Sequence, residues 1–341
     1  MLSSELTLFP PALKAGDTIG FFSASSPVTA TAPNRYLRGK KFLEDKGFVL
    51  KAGTMTGQYD HYRSGSIQAR AEELNQLIRD PQVRCVMSTI GGNNTNSLLP
   101  YLDYDALRAD PKIIIGYSDT TALLAGIYAQ TGLITFYGPA LVASFGEFPP
   151  LVNETYASFS DILMTHHSEP YRYALPQHWT DEKLNWNDVI PVRAKTLYAN
   201  TCRFLGKGRI EGRVIGGNLN TMSGIWGSPY MPEIRQGDIL FIEDSLHDIA
   251  TVERSFSMLK LNGIFDRVSA ILLGKHELFD DAGSARQPAD VLLEVLNGQD
   301  IPLVDGFDCC HTHPMLTLPL GARISVDFAE RHIDIVSQYL R

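Results

Sequence analysis

Hydrophobic and polar positions alternate in blocks through the first half of the chain. Short apolar runs read as strands at Thr18-Ile19-Gly20-Phe21-Phe22, Phe48-Val49-Leu50, Arg84-Cys85-Val86-Met87-Ser88, Ile113-Ile114-Ile115 and Ile134-Thr135-Phe136-Tyr137. Between them, residues 35–46, 67–79 and 121–130 carry helical patterns. Continuous apolar strands separated by helices predict an α/β domain with a parallel sheet covered on both faces. Ligands bind such sheets beyond the carboxyl ends of the strands.

The pattern breaks at 166–192, a polar stretch with Pro170, Pro176, Pro191, Trp179 and Trp186 and no sustained periodicity. A segment of that length without its own periodicity is a linker or a functional lid. Beyond it, Gly212-Arg213-Val214-Ile215, Asp238-Ile239-Leu240-Phe241-Ile242 and Val268-Ser269-Ala270-Ile271-Leu272-Leu273 read as strands, with one helix over 250–261. The expected organisation is an α/β domain over 1–165, an interdomain segment over 166–192 and a smaller, β-rich, barrel-like domain over 193–341.

Composition narrows the function. The 341 residues suffice for two cores, and 44% hydrophobic with 20% charged residues excludes a disordered or coiled-coil chain. Thirty basic against thirty-eight acidic side chains leave a net charge of −8, which argues against a nucleic acid polymer as partner but not against one nucleotide. No apolar run approaches the roughly 20 residues of a membrane span, and Met1-Leu2-Ser3-Ser4-Glu5-Leu6 lacks a basic, signal-like start, so the expected location is cytoplasmic. The four cysteines, Cys85, Cys202, Cys309 and Cys310, are too few and too irregular for a disulfide framework and read as thiols.

The sharpest chemical signal is Lys112-Ile113-Ile114-Ile115-Gly116-Tyr117-Ser118-Asp119-Thr120-Thr121, a strand entering a helix through a Gly-x-Ser turn. A serine on such a turn projects from the sheet edge beside free helix N–H groups, making Ser118 a candidate nucleophile; a plain helix cap is the bland alternative. Gly91-Gly92 follow the preceding strand and allow a backbone N–H to approach a ligand, opposite that of Asp119. Glu243 closes one later strand and His311 follows another, giving the order Ser, Glu, His; a salt bridge and a loop histidine are their bland alternatives. Cys309-Cys310-His311-Thr312-His313 invites a metal, but adjacent cysteines point to opposite sides of an extended chain, so no metal or other cofactor is expected.

Taken with Gly16-Asp17-Thr18-Ile19, Gly216-Gly217-Asn218-Leu219, Phe241-Ile242-Glu243-Asp244, Gly274-Lys275 and Gly306-Phe307, these motifs resemble the LD-carboxypeptidase family of serine peptidases over essentially the whole chain. The resemblance implies a flavodoxin-like N-terminal domain and a homodimer. It also implies Ser118 as nucleophile, His311 as general base and then acid, Glu243 as its orienter, and an oxyanion hole from the Gly92 and Asp119 N–H groups. Ile90 before the glycines, Asn93-Asn94 after them, Ala250 and Glu253-Arg254 depart from the peptidoglycan-cleaving members.

The sequence instead resembles the branch that inactivates peptidyl- or aminoacyl-nucleotide antibiotics of the microcin C type. There an interdomain tryptophan stacks on the substrate's base, a role that falls to Trp186; such stacking contributes about 1–3 kcal/mol per base. Asn220, Glu277 and His247 are the further substrate contacts the likeness implies. The expected partner is a small nucleotide-linked substrate, with no membrane. Trimming of D-alanine from murein tetrapeptides is the enzymatic alternative, and non-catalytic sequestration of an adenylate is the alternative of another class.

Overall fold

In the computed structural model, which describes residues 7–341, the expected strands of the first half are β1 (Thr18–Phe22), β2 (Val49–Ala52), β3 (Val83–Ser88), β4 (Ile113–Gly116) and β5 (Thr135–Tyr137). They run parallel in the order β5-β4-β3-β1-β2. The leader reading drawn on Met1 to Leu6 lies outside the described residues. All of β4 is buried, as expected of a strand covered on both faces. The expected helices occupy Pro33–Asp45, Ile67–Arg79 and Thr121–Thr131. The second starts at Ser66, whose side chain accepts the Ala69 N–H at 3.2 Å, an N-cap.

A helix over Leu151–Met164 was not anticipated, although its buried Leu151, Thr155, Phe159 and Ile162 keep helical spacing.

The later strands are β6 (Tyr171–Arg172), β7 (His178–Trp179), β8 (Tyr198–Ala199), β9 (Arg203–Leu205), β10 (Arg209–Asn218), β11 (Ile239–Glu243), β12 (Ala270–Gly274), β13 (Leu303–Phe307), β14 (Leu318–Leu320), β15 (Arg323–Asp327) and β16 (His332–Ile335). Eight of them form one sheet in the order β6-β16-β15-β10-β11-β12-β13-β9, with β10 to β13 parallel. This sheet is an open, curled half-barrel. Two helices, Ile249–Leu261 and Pro288–Leu296, pack together beside it where the pattern showed one. Their Phe256, Leu259 and Leu292 share a hydrophobic cluster with Leu240 and Ile271.

The halves are joined by strand pairing and by helix packing, among other contacts. Strand β14, which lies in the chain between β13 and β15 of the second sheet, pairs antiparallel with β5 and extends the first sheet. The helix Thr121–Thr131 packs against β10, and its residues from Thr121 to Ile127 are all buried. A helix that is apolar all round sits inside a protein, here between two layers. Gly217, at φ +151°, allows that approach, because a Cβ there would fall 2.5 Å from Thr121 Cγ2. Residues 166–192 remain largely irregular apart from β6 and β7. Among the described residues, no helix is long and apolar enough to cross a membrane.

Candidate active site

Four strand ends meet at the seam between the halves. Strand β4 leads through Tyr117 into Ser118, which sits at φ +60°, a left-handed conformation uncommon for a residue with a side chain. Such strain at a strand-to-helix turn is the geometry of an exposed nucleophile. The Ser118 N–H donates to Tyr137 Oη at 3.0 Å, at the end of β5. Gly91 faces the same turn: a Cβ on it would stand 2.8 Å from Ser118 Oγ and 3.0 Å from the Asp119 nitrogen. The Asp119 carboxylate is buried and accepts the Asn94 N–H, the Thr95 N–H (both 2.9 Å) and the Thr95 hydroxyl (2.7 Å). It therefore locks the glycine loop onto the Ser118 turn.

From the second half, β10 and β11 place Asn218 beside Glu243 in parallel register. Glu243 is fully buried. Its Oε2 lies 2.6 Å from His311 Nδ1, and its Oε1 accepts from Tyr137 Oη at 2.5 Å and Asn218 Nδ2 at 3.0 Å. A buried carboxylate needs such donors, since an unpaired charge away from water is costly. Burial alone pushes His311 down, but the charge and hydrogen bond of Glu243 outweigh it and hold the imidazole above its ordinary value. The ring also packs edge-on against Tyr117, with centroids 4.9 Å apart. Burial drives the neighbouring His313 down to about 3, so it stays neutral where His311 titrates.

Ser118 and His311 both line a cavity of about 370 Å³. Gly92, Trp186, Asn220, His247 and Glu277, all singled out from the sequence, line it too. Glu243 stands behind His311, and the Asp119 side chain points into the protein. Asp244, 3.1 Å from His247 Nδ1, raises that imidazole's pKa against the effect of partial burial. Burial also raises Glu277, which Lys183 faces at 3.6 Å. The interdomain segment reaches the cavity because Thr180 and His313 exchange two backbone hydrogen bonds of 2.9 Å. Cys309 and Cys310 turn to different partners, Tyr137 O and Thr312 Oγ1.

Models of the LD-carboxypeptidase N-terminal and C-terminal domains match residues 19–138 and 211–326. The chain belongs to the LD-carboxypeptidase family. Its members are carboxypeptidase-type hydrolases, and the Ser118 turn lies in the first matched region with Glu243 and His311 in the second. The chain is 64% identical over 340 residues to the microcin C7 self-immunity protein MccF of Escherichia coli, covering all of this chain and 98% of that one. The structure of MccF without ligand superimposes with a TM-score of 0.97 at 65% identity, covering 98% of this chain and all of that one. MccF structures with aspartyl sulfamoyl adenosine and with glutamyl sulfamoyl guanosine match equally well, each with a TM-score of 0.97 at 64% identity and the same coverage.

Sequence reasoning on this family missed Tyr137 as a site residue. It quoted Asn218 only as part of a motif, although its place at a strand end beside Glu243 was a usable signal. For Tyr137 nothing distinguished a bonded phenol from a core aromatic.

Proposed function

We propose that the protein is a serine hydrolase that inactivates microcin C-type peptidyl- or aminoacyl-nucleotides. It cleaves the amide between the C-terminal aspartyl carbonyl and the phosphoramidate nitrogen. The observation that carries this reading is the sharing of one cavity by Ser118, His311 and the Trp186 indole, which puts acyl chemistry and an aromatic platform within reach of one ligand. The complexes of MccF with aminoacyl sulfamoyl nucleotides support the same substrate class.

His311, oriented by Glu243, takes the Ser118 proton as Oγ attacks the aspartyl carbonyl. The Ser118 N–H is bonded to Tyr137, so the oxyanion falls to the Gly92 and Asp119 N–H groups. The carbon–nitrogen bond then breaks, and His311 returns the proton to the departing nucleotide amide. Water, deprotonated by His311, cleaves the acyl-enzyme and regenerates Ser118. Trp186 stacks on the base, while Asn220, His247 and Glu277 contact the rest of the nucleotide. The protein acts as a homodimer in the cytoplasm, a compartment in keeping with its four free thiols.

The deciding experiment supplies an aspartyl-adenosine phosphoramidate and a murein tetrapeptide side by side. The expected result is release of aspartate from the first, with turnover falling about 10⁶-fold in Ser118→Ala while binding persists. Efficient D-alanine release with no nucleotide cleavage overturns the reading in favour of murein trimming. Undiminished protection of cells by Ser118→Ala overturns it in favour of sequestration.

A further inference from the structure

One face of the Trp186 ring is already occupied. The guanidinium carbon of Arg35 lies 4.2 Å from the indole centroid. Arg35 is 3% exposed and donates to Val142 O at 3.0 Å, Ala143 O at 2.7 Å and Glu147 Oε2 at 3.0 Å, so its plane is fixed from below. The flanking loop is clamped to the helix Pro33–Asp45 that carries Arg35 and to Thr31 just before it. Asn34 donates to Asn187 O at 2.7 Å, Asn187 donates back to Thr31 O at 3.0 Å, and Arg38 donates to Asp188 O at 2.9 Å. Trp186 borders the cavity whereas Arg35 takes no part in its lining, so the arginine backs the ring and the other face remains for a ligand.

Resting on the nucleotide reading above, we infer that Arg35 is a positioning residue that presets Trp186 as a rigid, cation-backed platform selective for purine over pyrimidine bases. A planar guanidinium fixed against an indole holds the ring by cation–π attraction and stacking. A platform ordered before binding spares the ligand the cost of ordering a loop. The fixed cation draws electron density from the indole, so its open face favours the larger, electron-rich purine.

The test measures kcat and KM on three substrates: aspartyl phosphoramidates of adenosine, of uridine, and of a plain alkyl group with no base. Arg35→Met removes the cation but leaves Glu147 paired with Lys195 at 2.7 Å. Expected is a rise of about 10-fold in KM for the adenosine substrate, kcat within about twofold, and no change with the alkyl substrate. Arg35→Lys, which keeps a charge without the plane, restores part of the loss; should the Met variant not fold, the Lys variant carries the test with a KM rise of about 3-fold. In a Trp186→Ala background neither substitution has a further effect, because the arginine acts through the indole.

A KM change that is equal with and without a base, or that adds fully to that of Trp186→Ala, overturns the inference. So does an unchanged adenosine-to-uridine ratio. Failure of the unmodified enzyme to cleave any of the three substrates overturns the functional reading instead, which separates the two.

Discussion

Tyr137 Oη lies 2.5 Å from Glu243 Oε1 while accepting the Ser118 N–H at 3.0 Å, so one phenol ties the Ser118 turn of the first half to the buried carboxylate of the second. Burial, reinforced by the neighbouring Glu243 charge, raises the phenol well above its ordinary value. It therefore stays protonated and serves as a donor at any working pH.

Tyr137→Phe removes both bonds without changing the ring. Glu243 loses a donor that shares its negative charge, so it attracts the His311 proton more strongly. We expect the acidic limb of the rate profile to move to higher pH, with kcat at neutral pH down about 10-fold. Measuring kcat/KM from pH 5 to 9 checks this, and an unshifted limb would remove Tyr137 from the chemistry.

Glu243→Gln acts on the same proton in the opposite sense. Without the carboxylate, the burial that pushes His311 down loses its main offset, leaving only the more distant Glu277 and Asp244, and the acidic limb moves to lower pH. The wrong tautomer and lost charge lower kcat by about 10²- to 10⁴-fold. Stability follows the same sign. Because the folded His311 value lies above the ordinary 6.5, the pair's contribution is complete below pH 6.5 and disappears as pH rises through the folded value. Urea unfolding at pH 5.5 and pH 9 shows the unmodified protein losing that contribution at the higher pH; a Gln variant with an unaltered pH dependence contradicts it.

Gly91→Ala tests the closeness of the glycine loop. The added methyl meets Ser118 Oγ at 2.8 Å, in the space where the attacked carbonyl must enter. The expected loss is about 10²- to 10³-fold in kcat, comparable to that of one oxyanion donor. Gly91 has no positive φ, but the methyl also falls 2.7 Å from Ser118 Cβ, so the turn must give and Tm falls as well; a normal kcat would contradict this placement.

The strands of the first half were legible because residues such as Ile113 to Ile115 are apolar on both faces, a pattern that only a covered parallel sheet explains. Ser118, Glu243 and His311 were legible as residues at strand ends, but their convergence was not. It depends on the register that sets Asn218 beside Glu243 and on the Thr180–His313 bridge, both long-range pairings without local periodicity. Arg35 reads as an ordinary polar position of an amphipathic helix. Its burial follows from Glu147 and two carbonyls more than 100 residues away.

Strand β14 gives the molecule a property neither half has alone. By covering the outer edge of β5, it occupies a row of backbone groups that a separated first half would present to other chains. Cutting the chain between the matched regions would thus yield a sticky fragment instead of an independent module. The same splice resists the two halves swinging apart, so Ser118 from one half and His311 from the other stay on one cavity without any domain closure.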